Sequence, residues 1–512
     1  NTTTGKTIKL LNDITEDVPS IGGLNTIMLT IDLNGHNYTG TIEKYHDLTV
    51  INTSTEKTGK AHFNYVMCNV LHLNGGNVVI DDALIFHATY LDGATVTING
   101  GEYQLGGDPG AHTQAVTVKS GSLTINSGCF DTRDNLENGG NSIIPYTTTR
   151  YTAGETITHK CYAVGRAERG AYTVKKTSSD NSSPLYFYDL STAALVAADG
   201  DTITLGEGTF DLEKISVKDG RNLTFVGAGQ DKTTLNYGNE YKAGYSDAGG
   251  VGCYSFDGAG KITFKSVTLH DKYAKDDSND YYRGFIRPAS MSFEDCKITN
   301  VISMFGNGAV TFKGCLFESS YTNCFNVKCY TGTSFSFDGC TFKSPYGFID
   351  AYRQNTLDGV LEVKINNCQF IGTGSAAAPK PAVRLCDYKH AQEGGAWNLG
   401  FTGNNTTENI AVDSKTGSAL YGCRFYEGYE LLGTVSVDGT TVWTKGEKQE
   451  LPPTPPTPPT DGTITIIVPS TEETPKTDDQ KNPATGANDM VAAAAALMAV
   501  AALGMSILSR KK

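Results

Sequence analysis

The chain has few charged residues, and its cysteines are thinly spread. Asp, Glu, Lys and Arg make up only 19% of the 512 residues, and acidic residues outnumber basic ones by 55 to 42, for a net charge of −13. Nucleic acid and anionic membranes repel such a chain, so we expect neither as a binding partner. Twelve cysteines are too dilute for a disulfide scaffold. The lack of any Cys-x-x-Cys pair also argues against a zinc site.

Long apolar runs are absent until the C-terminus. There, residues 490–508 are apolar and are followed by Ser509-Arg510-Lys511-Lys512. The run approaches the roughly 20 residues that a helix needs to cross a bilayer. A basic tip holds the end of such a helix on the cytoplasmic side. We therefore predict a C-terminal hydrophobic helix.

The pentapeptide Asn482-Pro483-Ala484-Thr485-Gly486 stands just before this run. Together, the pentapeptide, the apolar run and the basic tip resemble the cell-wall sorting signal of Gram-positive bacteria, an LPXTG-like anchor over residues 482–512. The resemblance implies that a sortase cleaves between Thr485 and Gly486 and joins Thr485 to peptidoglycan, after a transient membrane span. The motif residues would be Asn482, Pro483, Thr485 and Gly486. Asn482 stands where the commonest form of the motif has Leu, which leaves the sortase class open, and a plain single-span membrane protein is the alternative reading.

Proline is concentrated just upstream of this signal. Residues 452–460 repeat Pro-Pro-Thr three times, and proline favours an extended helix of about 3.1 Å per residue. We assign residues 445–481 to a Pro/Thr-rich, wall-spanning stalk.

The sorting signal and the stalk together imply that the protein is secreted and wall-anchored, on the extracellular face of a Gram-positive bacterium. Such a protein needs an export signal, and since the chain opens at Asn1 without one, we expect a cleaved or truncated N-terminus.

A short phrase recurs along the chain before the stalk. It consists of an alternating apolar strand, two polar or Gly positions, a small residue, any residue, and an aromatic or aliphatic one. It occurs at residues 79–85, 97–103, 124–130, 263–269, 292–298, 311–317, 336–342 and 364–370. In the last five of these copies the second position holds Phe264, Phe293, Phe312, Phe337 and Ile365. Units of roughly 20–30 residues cannot bury a core alone and must stack, which predicts an all-β fold, a parallel β-helix of strand–turn–strand coils.

Cysteine fills the small-residue position in successive units. It does so at Cys296, Cys315, Cys340 and Cys368. We predict that these thiols point inward and pack on one another, as free cysteines do in cores. Metal binding and disulfide bonding are the alternatives, although parallel in-register Cβ vectors suit disulfide geometry poorly. Cys129 comes one position late and is expected to face outward.

Residues 190–235 read as the opening coils of a helix of this kind. An amphipathic helix over residues 191–198 precedes Asp199-Gly200-Asp201, and strands follow at residues 202–205 and 223–226. These residues resemble the right-handed parallel β-helix, or pectin-lyase-like, superfamily, in which such a helix plugs the exposed end. Asn-Gly turns such as Asn34-Gly35 make the N-terminal half similar to the β-helix repeats of surface adhesin-like proteins. We predict an N-terminal β-helix at 1–180 and a second, pectin-lyase-like one at 181–444, as two consecutive helices or one interrupted solenoid.

Carboxylates and arginines cluster in one long insertion. The candidate residues there are Asp271, Asp276, Asp277, Asp280, Arg283 and Arg287, together with Tyr273, Tyr281 and Tyr282. Further candidates downstream are Asp350, Arg353, Arg384 and Asp387, which stacking coils would align on the same face. The resemblance implies lyases that use carboxylate-bound Ca²⁺ with a basic residue, or glycosidases that use two or three Asp. Asp276 and Asp280 have the spacing of a calcium loop, but Tyr281 replaces its sharp-turn Gly. We therefore expect no cofactor, and Ca²⁺ at Asp276 and Asp280 is the alternative.

Binding fits the composition better than catalysis does. The chain has 26 Tyr and 21 Phe, and several Tyr stand beside polar residues. Aromatic faces with polar partners suit carbohydrate, although Tyr is also common on sheet surfaces. We predict a non-enzymatic, wall-anchored adhesin that binds glycans or host or neighbour surface ligands. A wall-anchored polysaccharide lyase or glycoside hydrolase, and a structural spacer, are the alternatives.

Overall fold

A computed structural model describes most of the chain before the stalk. It describes residues 4–18, 27–56, 58–106, 114–136, 141–152, 155–170, 172–180, 182–212, 215, 217, 219–237, 252–253, 255–256, 258–271, 284–286, 290–299, 302–306, 308–319, 324–329, 334–345, 347–353, 360–374, 380–387, 396–413, 416–423, 434–444 and 447–448. The candidates Asp276, Asp277, Asp280, Arg283 and Arg287 lie outside these residues. So do the stalk, the sorting residues Asn482, Pro483, Thr485 and Gly486, and the apolar run at 490–508.

The N-terminal part is built of parallel strands. They are β1 (Thr4–Lys9), β2 (Ile14–Thr15), β3 (Ile27–Asp32), β4 (Tyr38–Ile51), β5 (Lys60–Leu73), β6 (Asn77–Ile80), β7 (Ala83–Ile98), β8 (Glu102–Tyr103), β9 (Val116–Ile125) and β10 (Gly128–Phe130). Asn77 pairs with Thr95, and Thr89 pairs with Val116, so strands from successive coils pair in parallel. Apolar side chains between residues 10 and 164 form one buried cluster inside these coils.

Antiparallel strands follow and connect the two parts of the chain. They are β11 (Asn141–Thr152), β12 (Glu155–Arg166), β13 (Val174–Thr177) and β14 (Leu185–Phe187), after which comes the helix α1 (Leu190–Val196). β12 pairs with β10, β11 and β14. β13 pairs with β14 and with the first strand of the next part. A continuous ladder of hydrogen bonds therefore runs through the junction.

The helix α1 is fixed at both ends by side chains. Asp189 is its N-cap and accepts a 2.6 Å hydrogen bond from the Thr192 backbone N–H. At the other end, Arg221 Nη1 donates to the carbonyls of Ala194, Leu195 and Ala197. These bonds satisfy backbone groups that the end of a helix leaves unpaired.

The position of Cys129 differs from the prediction. It is 3% exposed, and its Sγ lies 3.9 Å from Thr192 Oγ1 on α1. Cys129 points away from the N-terminal core, but α1 lies over that side of the coil. The expectation that it faces solvent was wrong because this covering could not be read from the repeat.

The second part contains the remaining strands. They are β15 (Thr202–Leu205), β16 (Gly208–Asp211), β17 (Leu223–Val226), β18 (Thr233–Tyr237), β19 (Gly252–Cys253), β20 (Lys261–Lys265), β21 (Thr268–Asp271), β22 (Gly284–Ile286), β23 (Ser290–Glu294), β24 (Lys297–Thr299), β25 (Ile302–Gly306), β26 (Ala309–Lys313), β27 (Leu316–Glu318), β28 (Phe325–Cys329), β29 (Ser334–Asp338), β30 (Thr341–Ser344), β31 (Ile349–Arg353), β32 (Val360–Asn366), β33 (Gln369–Gly372), β34 (Val383–Asp387), β35 (Ala396–Thr402), β36 (Thr406–Glu408), β37 (Tyr421–Cys423), β38 (Thr434–Val437), β39 (Thr440–Thr444) and β40 (Glu447–Lys448).

These strands form three parallel sheets within the described residues, and β39 and β40 add an antiparallel end. Sheet A holds β15, β17, β20, β23, β26, β29, β32, β35 and β38. Sheet B runs from β16 to β36, and sheet C from β19 to β37. The chain visits sheets A, B and C in turn, so the all-β fold of stacked parallel strands is compatible with a parallel β-helix. Sheet C lies in segments where the sequence predicted only variable loops.

From β20 to β35, a residue with positive φ directly follows each sheet A strand and begins the turn to the next sheet B strand. This turn residue is Ser266, Asp295, Gly314, Gly339, Asn367 or Gly403, with φ between 51° and 65°. Only Gly, and less readily Asn, Asp and similar small polar residues, adopt this conformation at low cost. The polar or Gly positions of the repeat are therefore required by the turn.

Phenylalanines stack inside the second part. Phe225, Phe264, Phe293, Phe312 and Phe337 form one ladder in sheet A, with successive ring centroids 5.3, 5.5, 4.6 and 5.0 Å apart. Phe317, Phe342 and Phe370 form a second ladder in sheet B, at 4.5 and 4.8 Å. Each such pair contributes about 0.5–1.5 kcal/mol beyond the burial of its area. The ladders hold neighbouring coils in register.

The four predicted cysteines form a third internal ladder. Cys296, Cys315, Cys340 and Cys368 are at most 1% exposed, which confirms the predicted inward packing. Each Sγ donates to the carbonyl of a sheet A Phe one coil back, at 3.5 or 3.6 Å. Contact with the Cys315 thiol, and then burial, raise the pKa of the Cys296 thiol far above its ordinary value. These thiols are packing groups.

The turn residue Gly339 offers a test of this fold. A Cβ added there meets nothing within 4 Å, so a side chain costs only backbone strain at φ 63°. We expect Gly339→Ala to lower the free energy of unfolding by about 1 kcal/mol. Gly339→Asn is the matched control and should cost less, because Asn367 occupies the same turn position. Urea unfolding measures both, and equal stability of the two variants would contradict the assignment.

Candidate functional site

Strand alternation separates the two faces of sheet A. In β26, Val310 and Phe312 are buried, while Ala309, Thr311 and Lys313 are exposed. The same alternation in the neighbouring strands places one set of side chains outside the core of the stack. Because the strands are in register, the outward residues form columns along the axis of the stack.

The middle column consists mainly of hydroxyl side chains. Its members, in register from coil to coil, are Thr202, Thr224, Thr263, Ser292, Thr311, Ser336, Lys364 and Gly400. Thr311 Oγ1 donates to Ser292 Oγ at 3.0 Å, so neighbouring coils are linked through this column. The column ends in a residue that has no side chain.

The two flanking columns are mainly polar, with Val226 and Ala309 as apolar members. One contains Lys265, Glu294, Lys313, Asp338, Asn366 and Thr402, and the other contains Ala309, Ser334, Glu362, Asn398 and Ser436. Lys265 pairs with Glu294 at 2.7 Å. Asn366 Nδ2 donates to Asp338 Oδ1 at 2.6 Å, and Thr402 Oγ1 donates to Asn366 Oδ1 at 3.0 Å. We call these three columns together the polar face.

A depression of about 380 Å³ lies near the C-terminal end of the polar face. Its lining includes Glu362, Lys364, Asn398, Gly400, Ser436 and Asp438. Gly400 leaves the middle column open there, since a Cβ at that position meets only Lys364 Cγ, at 3.7 Å.

The charged groups of the depression are held in place. Glu362 Oε2 lies 3.0 Å from Lys364 Nζ, and Asp438 Oδ1 accepts a 2.7 Å hydrogen bond from the Phe401 backbone N–H. Carboxylate, amide, hydroxyl and ammonium groups therefore converge on one small volume. This set can donate to and accept from a ligand that is rich in hydroxyl groups.

The sequence signal for the polar face stands at the first position of the repeated phrase. Thr263, Ser292, Thr311 and Ser336 each precede a ladder phenylalanine. The phenylalanine and the cysteine of the phrase predicted the stacking, whereas the hydroxyl residue beside them was overlooked. No sequence pattern marks Gly400, because the depression that it opens is formed with residues of neighbouring strands.

Two of the predicted charged residues meet on sheet C. Asp350 in β31 and Arg384 in β34 occupy adjacent register positions. Arg384 Nε donates to Asp350 Oδ1 at 2.6 Å, and Nη2 donates to Oδ2. The Asp350 side chain is only 2% exposed and that of Arg384 12%. Ile349 and Ala351 belong to the core, so Asp350 is directed away from it.

Other predicted residues are placed less completely. Arg353 and Asp387 also occupy adjacent register positions in sheet C, but their side chains are outside the described part of the structure. Asp271 ends β21 and is 1% exposed. No cluster of three or more His, Cys, Asp or Glu residues suited to a metal ion occurs in the described part. None of the helices described there is long and apolar enough to cross a bilayer.

No protein-family model, curated protein or solved structure matches the chain.

The Asp350–Arg384 pair should be structural. Removal of one partner leaves the other charge buried without compensation, which costs about 3–5 kcal/mol. We therefore expect Asp350→Ala to lower the free energy of unfolding by that amount. The double variant Asp350→Ala/Arg384→Met should recover most of the loss, because no lone charge remains. Denaturant unfolding compares the variants, and an Asp350→Ala protein as stable as the wild type would refute this assignment.

Proposed function

We propose that this chain is a cell-wall-anchored adhesin on the surface of a Gram-positive bacterium. Its ectodomain would be a right-handed parallel β-helix of the pectin-lyase-like kind, raised on the stalk at 445–481. The observation that carries the binding role is the polar face, a set of mainly polar outward side chains aligned along sheet A, of which Thr263 and Ser292 are buried. The anchoring role rests on the sorting motif around Thr485.

The dimensions and order of the polar face suit an extended ligand. The parallel strands of sheet A from β15 to β38 give eight spacings of about 4.8 Å, or roughly 38 Å in all. Side chains in the columns hydrogen-bond to one another, so they lose little conformational freedom when a ligand binds. Pre-organisation of this kind favours affinity without new contacts. A glycan or a surface polymer of a neighbouring cell or host is the ligand class that fits.

A polysaccharide lyase or glycoside hydrolase is the second candidate. One observation favours it, namely that Asp350 and Arg384 occupy adjacent register positions on sheet C. However, both carboxylate oxygens of Asp350 are bonded to the guanidinium of Arg384. A general acid or base must reach the proton that it transfers, and this pair is buried. We therefore rank catalysis below binding, and a spacer role third.

Sortase anchoring predicts a covalent link through Thr485. The full chain, preceded by an export signal of the host, is expressed in a Gram-positive host that carries sortases of several classes. The wild-type protein should stay with the wall after extraction in hot detergent, and mass spectrometry should find a wall-linked peptide that ends at Thr485. Thr485→Ala should abolish the linkage, whereas Thr477→Ala in the stalk should not. Equal wall linkage of the Thr485→Ala variant would rule out this attachment site.

The adhesin proposal predicts retention without turnover. The purified full-length chain is applied to a glycan array and is incubated in solution with polysaccharides, with and without Ca²⁺. We expect binding to at least one glycan and no new reducing ends or unsaturated uronate absorbance. Appearance of either product would establish catalysis in place of the adhesin role.

A further inference from the structure

We propose that the polar face binds a neutral, hydroxyl-rich polysaccharide whose chain runs along the axis of the stack, with one sugar residue in the depression over Gly400. This inference rests on the proposed adhesin function and names its ligand class and its site. It differs from the enzyme alternative, which would place a substrate on sheet C beside Asp350.

The charge pattern of the polar face selects for a neutral ligand. Its charges alternate in sign, as in the Lys265–Glu294 pair at 2.7 Å and the Glu362–Lys364 pair at 3.0 Å. Paired charges of opposite sign create little net field above the surface. The whole chain carries −13, which disfavours a polyanion such as a polyuronate. Hydroxyl groups can hydrogen-bond to both members of such pairs.

The repeat of the polar face sets the direction of the ligand. Along the axis, a hydroxyl group recurs at every coil from Thr202 to Ser336 in the middle column, about 4.8 Å apart. Thr263 and Ser292 are buried, so the accessible stretch next to the depression begins at Thr311. A polymer parallel to the axis meets the accessible polar members of this column, Thr311, Ser336 and Lys364, at successive steps. A polymer across the strands would meet three columns of polar groups and then leave the face. The parallel direction therefore uses far more of the available donors and acceptors.

The depression gives this ribbon a defined end. Lys364 and Gly400 are the last members of the middle column, and the loss of a side chain at Gly400 opens the volume. The side chains of Glu362 and Lys364 remain 40% and 65% exposed, so they are accessible to a ligand. Acceptors at Glu362 and Asp438 and donors at Asn398 and Lys364 surround the opening. One sugar ring with several hydroxyls can satisfy groups of this kind together.

Gly400→Gln tests the site without disturbing the fold. The new Cβ meets only Lys364 Cγ at 3.7 Å, an ordinary contact, and Gly400 has no positive φ among the described backbone angles. The glutamine side chain would occupy the depression. The matched control is Thr234→Gln, an equal side chain at an outward position of β18 in sheet B, away from the polar face. Thermal unfolding checks that both variants are folded.

Binding is measured with the purified full-length chain and immobilised oligosaccharides. The neutral probes are cellohexaose, maltohexaose and mannohexaose, and the acidic probe is an oligogalacturonate of similar length. We expect the wild type to bind at least one neutral probe more tightly than the acidic one. Gly400→Gln should weaken that binding at least ten-fold, and Thr234→Gln should leave it within two-fold of the wild type.

The other outcomes separate the two levels of the proposal. Full binding by a folded Gly400→Gln protein would overturn the site and leave the adhesin function standing. Preference for the acidic probe would overturn the neutral ligand class. Failure of the wild type to bind any glycan, here and on the array, would overturn both the glycan-binding function and this inference.

Discussion

Strand register between neighbouring coils is the constraint on which the rest of this structure depends. A single coil has too little apolar surface to form a core alone, so each coil must bury its side chains against the next one. Phe312 illustrates this, because its ring stacks on Phe293 at 4.6 Å and on Phe337 at 5.0 Å. A shift of one residue would direct these rings outward and expose them. Stacking of the inner side chains therefore fixes the register of the outer ones.

The polar face follows from the same constraint. Thr311 stands next to Phe312 in the chain, so once the phenylalanines are stacked, the hydroxyl residues are stacked too. The columns need no separate device to align them. Function on such a surface would depend on which residues occupy the outward positions. A glycine at one of them, such as Gly400, can open a depression between its neighbours. Repeat proteins with stacked units often use such extended surfaces for binding.

The fold was largely predictable because the repeated unit is recognisable in the sequence. The phenylalanine and cysteine positions predicted stacked coils, and the ladders through Phe264 and Cys296 have the expected inward packing. Sheet C was missed, since its strands, such as β25, lack a shared phrase and lie between insertions of varying length. The β11–β12 hairpin was also missed, because it belongs to no repeat. Its pairing, from Asn141 with Arg166 to Thr152 with Glu155, depends on contacts that alternation alone does not specify.

The candidate site was less predictable than the fold. Stacking suggested that the charged residues of neighbouring coils share a face, but not that Asp350 and Arg384 form a buried, bidentate ion pair. Their chemistry depends on burial, which the repeat does not reveal on the outer side of a sheet. The depression is lined by residues from three strands and the turn that follows the last of them. One of these residues, Gly400, has no side chain and therefore gives no chemical indication of a site in the sequence. Sites of this kind become visible only when the register is known.

We propose above all that a ligand binds to the polar face of sheet A. The most direct test is a crystal structure of the chain with a neutral oligosaccharide that it retains. We predict sugar residues along the polar face, with one ring over Gly400 between Glu362 and Asp438. Sugar bound instead on sheet C beside Asp350 and Arg384 would contradict the claim and would favour the enzyme.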